Sequence, residues 1–174
     1  MGGERGVTLL EAAVGISIVG SLLAIFVPTY VRGLHGSRLV EATDGLARIG
    51  ERAIENGKKQ PGRDAFPASA PLTPAEPPRG KPAVSDDALW QHPTWVALDF
   101  RPVPSGVAHS FAFAFAPSAG KVGGVDVADG SSFVATAHGD LDGDGVPSTF
   151  EIRGASTATE TKLEPGVYVE AELE

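Results

Sequence analysis

The sequence predicts an α+β fold, a long N-terminal α-helix packed against a small antiparallel β-sheet head. Three observations carry this. The 20 residues from Ala12 to Val31 contain no charged side chain. Apolar residues then recur at helical spacing as far as Ala53, and the rest of the chain carries short alternating stretches separated by turn residues. A helix followed by a run of strands is the pattern in which an antiparallel sheet is laid against the helix.

The helix is predicted from about Val7 to Asn56. Its first part, 7–31, is apolar all round, and about 20 such residues span the roughly 30 Å of a bilayer's hydrocarbon core. Glu11 stands at the outer end of this run with Val7 to Leu10 before it. A lone carboxylate there costs a few kcal/mol on insertion, and the sequence offers no nearby partner for it, which points to a partner on another chain. Pro28 lies inside the run and removes one backbone hydrogen bond, so a bend is expected there. In the second part, 32–56, Leu39, Ala42, Leu46, Ile49 and Ala53 form one apolar face. Arg38, Glu41, Asp44, Arg48, Glu51, Arg52 and Glu55 lie largely off it, with Asp44 and Arg48 spaced to pair at i,i+4. Asn56-Gly57 reads as the helix stop.

Residues 57–88 hold seven prolines between Pro61 and Pro82 and read as a surface loop. The head is predicted over 89–174. Trp95–Phe100 reads as its first strand. Val107–Ala116 alternates, with His109, Phe111, Phe113 and Phe115 on one face, the phenylalanines toward the helix. Ser131–His138 reads as a third strand and Phe150–Arg153 as the start of a fourth. Val167, Val169, Ala171 and Leu173 predict a half-buried last strand with an acidic outer face.

Residues Gly6-Val7-Thr8-Leu9-Leu10-Glu11 and the following apolar run resemble the class III signal of type IV pilins and pseudopilins. A short hydrophilic leader, 1–6, ends in Gly6. The resemblance implies that a prepilin peptidase cuts after Gly6 and methylates the new amine of Val7. It implies that Glu11 neutralises the ammonium of a neighbouring subunit's Val7, and that Pro28, 22 residues after the cleavage point, lets the helix kink or melt during assembly. The chain departs from the family in having Val7 first, where Phe or Met is usual, and only Arg5 as a basic leader residue. Partners implied are other copies or other pilins in a filament, the peptidase, and the bacterial inner membrane before assembly, with a periplasmic or extracellular filament afterwards. A pilus subunit, major or minor, is the leading reading, and a type II secretion pseudopilin shares the motif.

The segment Asp140-Leu-Asp142-Gly-Asp144-Gly145-Val146-Pro-Ser148-Thr-Phe-Glu151 fits the twelve-residue calcium-loop pattern. Asp140, Asp142 and Asp144 would supply carboxylates, Val146 a carbonyl, Ser148 a hydroxyl or water, and Glu151 a bidentate carboxylate. The flanks read as strands rather than the helices of an EF-hand, so a different ligand frame, a metal-free polar turn and an interaction surface stay open. The segment also resembles one found in pilin-like proteins of delta-proteobacterial type. Calcium there would staple a C-terminal region that has no cysteine, where many pilins close a disulfide-bonded loop.

Composition narrows the rest. Of the net charge of −8, residues 1–58 contribute nothing, with six basic and six acidic side chains. The acidic remainder argues against nucleic acid as a primary partner. His35, His92, His109 and His138 have no partners at metal-ligand spacing, no nucleophile motif or phosphate-binding loop appears, and thiol chemistry is absent. No enzymatic role is expected. The reading from another functional class is a membrane-anchored calcium-binding module that never polymerises.

Overall fold

A computed structural model describes residues 8–61, 64–122, 125–157 and 159–170, with side chains outside 31–37 and 119–129. The elements in order are α1 (Leu9–Lys59), β1 (Ala70–Thr73), a 3-10 turn (Asp87–Gln91), α2 (Pro93–Ala97), β2 (Phe111–Val122), β3 (Val125–Gly139), β4 (Ser148–Ser156), β5 (Thr161–Leu163) and β6 (Tyr168–Glu170). The fold is α+β, as expected. The chain divides into two compact units, Met1–Ser37 and Arg38–Glu174. Beyond Thr8, the described part of the first is helix.

In the second unit the sheet order is β1-β2-β3-β4-β5, every pair antiparallel, with β6 pairing β4. The predicted helix face is buried as a block: Ala42, Leu46, Ile49 and Ala53 are fully buried, with Leu39 packed at their margin. Against them stand Phe111, Phe113 and Phe115, which β2 presents to one side by its two-residue period. Gly45 is what lets α1 approach so closely: a Cβ there would lie 2.5 Å from Cε1 of Phe113. Phe113 meets Phe100 edge-on at 5.2 Å between centroids, and Phe115 stacks on Phe133 at 5.2 Å.

The structure corrects several details. Trp95–Phe100 is not a strand. Its aromatic and β-branched composition favours one, but the preceding residues cap a helix: Pro93 opens α2, and the His92 ring accepts the Thr94 amide at 3.3 Å. Trp95 is then turned into the core, where its indole N–H donates to Thr73 Oγ1 at 3.0 Å. The Pro-rich segment is not all loop. Ala70–Thr73 adds edge strand β1, where Pro71 is tolerated because an edge strand leaves one row of amides unused. Helix α1 overruns Asn56 by three residues to Lys59, and Asn56 Nδ2 donates to Ala97 O at 2.9 Å. The Asp44–Arg48 pair is replaced by a longer reach. Arg48 Nη2 donates to Arg101 O at 2.8 Å and Pro102 O at 2.7 Å, and its guanidinium lies 5.3 Å from the Phe100 centroid.

The last strand also differs. β5 takes one half of the β4 edge and β6 only Thr149 to Glu151, so β6 is three residues long. Val169 pairs with the buried Phe150 yet stays 40% exposed, so this strand is not half-buried. Ala171 and Leu173 lie outside the described residues.

Candidate functional site

Two places carry the residues singled out by sequence. The first is the start of α1. Leu9–Tyr30 is 22 residues of mean hydropathy 2.2, long and apolar enough to cross a membrane, and none of its residues is buried within the chain. Its hydroxyls turn inward: Ser21 Oγ donates to Ser17 O at 2.8 Å and Thr29 Oγ1 to Ile25 O at 2.9 Å. Such bonds satisfy polar groups that lipid cannot. Pro28 sits within the continuous α1. Gly6 and Val7 lie outside the described residues.

Glu11 has a local partner. The Thr8 amide and hydroxyl both donate to Glu11 Oε2, at 2.8 and 2.7 Å, and Thr8 Oγ1 accepts the Glu11 amide at 3.2 Å. This is a reciprocal capping box, satisfying donors that a helix leaves unpaired in its first turn. Its signature, Thr-x-x-Glu, is legible in the sequence at residues 8–11 and corrects the expectation that Glu11 has no partner nearby in its own chain. Among the described residues only Oε2 is used, and there Oε1 retains its acceptor capacity.

The second place is the turn between β3 and β4. β3 ends at Gly139, and Asp140 follows it with 2% exposure. Both Asp140 oxygens work inside the turn, Oδ1 accepting the Gly143 amide at 2.7 Å and Oδ2 the Gly145 amide at 3.1 Å. Asp142 Oδ1 accepts the Asp144 amide at 3.0 Å, and Asp144 Oδ1 accepts the Val146 amide at 2.7 Å. Successive side-chain-to-backbone turns of this kind wind the chain tightly. They require φ values of 85° at Gly143 and 94° at Gly145, which glycine adopts without strain. The outcome is that one carboxylate oxygen from each of Asp140, Asp142 and Asp144 lies within 4.8 Å of the others. These three could hold a metal ion.

The other predicted ligands, Ser148, Glu151 and Val146, have these partners and settings. Ser148 is fully buried at the start of β4, and its hydroxyl donates to Gly139 O at 2.9 Å, closing the turn. Glu151 is within β4 opposite Thr136 and receives Arg153 Nε at 2.6 Å. Val146 has its side chain exposed and its amide given to Asp144. His138 precedes the turn, with Nδ1 3.0 Å from Thr149 Oγ1, and burial holds its pKa below the usual histidine range.

The turn is braced from outside. Gly80 N donates to Asp140 O at 2.7 Å, and Gly80 O accepts Arg38 Nη1 of α1 at 3.2 Å. One turn further along α1, the half-buried Glu41 carboxylate accepts the Ser110 and Phe111 amides. Neither Arg38 nor Glu41 was singled out from sequence, where both lie off the apolar face; their partners are 42 and 69 or 70 residues away. No family model, curated protein or solved structure matches the chain.

Proposed function

We propose that the chain is a structural subunit of a type IV pilus, a pilin or minor pilin, that polymerises through its N-terminal helix after cleavage following Gly6. The observation that supports this is the 22-residue apolar helix whose surface the chain itself leaves uncovered. Apolar surface of that extent must be covered by lipid or by other chains. Lipid of the bacterial inner membrane covers it before assembly, and neighbouring helices cover it in the filament. Glu11, with Oε1 free of the capping box, neutralises the Val7 ammonium of a neighbour; a buried anion and cation together are far less costly than either alone. A type II secretion pseudopilin is the same reading in a different assembly. No catalytic role is part of it.

The experiment is the intact mass of the native protein from membranes and from sheared surface material. Loss of residues 1–6 with one added methyl, recovered in the sheared fraction, is the expected result. A full-length mass confined to membranes overturns the reading.

A second reading is favoured by the aspartate turn, a membrane-anchored calcium-binding module that does not polymerise. We propose calcium as the ion for this turn because the three donors are carboxylate oxygens, the ligand type this oxygen-seeking, geometrically flexible ion prefers. Calcium binding is compatible with both readings, so the mass measurement, not the metal, separates them.

A further inference from the structure

We draw no further inference here: the strongest candidate, the sheet face turned away from α1 where Ala114, Ala116, Val134 and Thr136 form a partly exposed patch of small side chains, carries nothing because nothing in the structure shows what covers it.

Discussion

Glu41 on α1 holds Ser110 at the threshold of β2, with both carboxylate oxygens 3.0 Å from the same amide. Oε1 also accepts the Phe111 amide at 3.1 Å. A single side chain thus ties the helix to the strand that carries the phenylalanine row. Glu41→Ala leaves these two amides without this acceptor at positions where Ser110 and Phe111 are buried. The expected loss is on the order of 1–3 kcal/mol, the usual penalty for a buried group left unsatisfied. Urea denaturation of the detergent-solubilised protein, followed by tryptophan fluorescence, reads it directly. A midpoint unchanged from wild type removes the clamp from the account.

The same carboxylate sets a pH dependence. Desolvation raises the Glu41 pKa above its ordinary 4.5; the Ser110 and Phe111 amides and the charges of His109 and Arg38 pull it down, without cancelling the burial. A raised folded-state pKa means that the folded protein binds the proton more readily than the unfolded chain. Ionising Glu41 therefore costs more in the folded protein than in the unfolded chain, and stability relative to the ionised state is gained as pH falls through the raised value toward 4.5. Wild type is expected to gain stability over this window relative to Glu41→Gln, which has no proton to take up. Parallel slopes of midpoint against pH for the two proteins would contradict it.

Gly45 tests how closely α1 must approach the sheet. Alanine is the better helix former by about 1 kcal/mol. Its Cβ, however, would lie 2.5 and 2.6 Å from ring carbons of Phe113, which is fully buried and braced by Phe100. The ring cannot swing clear without displacing that neighbour, so overpacking of about 1–3 kcal/mol decides the sign. Gly45→Ala is expected to lower the thermal midpoint of the protein, and a rise would show that helix and sheet are looser here than the contact implies.

The two periodicities explain which parts of the fold were legible. Leu39 to Ala53 and Phe111 to Phe115 are read by the 3.6- and 2-residue repeats because burial acts on a whole face at once. The aspartate spacing was equally legible, since it concerns residues within one turn. Trp95–Phe100 was misread because composition spoke for a strand while His92 and Pro93, just outside the window, set a helix start. Edge strand β1 was hidden by prolines that an edge tolerates. The Glu41–Ser110 contact had no sequence signal at all, because nothing in a helix pattern says which distant amide an off-face carboxylate will find.

The aspartate turn gives a graded metal test. Calcium that binds only the folded state raises its stability by about 2.7 kcal/mol at a concentration 100 times the dissociation constant. The thermal midpoint is therefore expected to climb with calcium and to fall back with a chelator. Asp142→Asn and Asp144→Asn keep a side-chain oxygen for the Asp144 and Val146 amides while removing charge, so they are expected to abolish the calcium response with little change in chelator. Asp140→Asn is expected to destabilise under both conditions, because one of the two amides on its oxygens would then face an NH2 group. Glu151→Gln, on a residue occupied by Arg153, is expected to leave the response intact. A midpoint indifferent to calcium in wild type leaves the turn a metal-free element.

Thr8 and Glu11 separate local capping from pairing between subunits. If the carboxylate serves only the first turn of its own helix, Thr8→Ala and Glu11→Ala undo the same capping box and have the same effect, typically about 1 kcal/mol of helix stability. If Glu11 also meets a neighbour's ammonium, only Glu11→Ala leaves that cation unpaired in an apolar interface, a penalty of several kcal/mol at every subunit contact. Thr8→Ala is thus expected to retain surface filaments and Glu11→Ala to lose them, with both proteins still reaching the membrane in wild-type amounts. Quantifying the protein in sheared and membrane fractions checks both arms. Filaments that survive Glu11→Ala undiminished would confine this carboxylate to the cap and remove the support it gives to assembly.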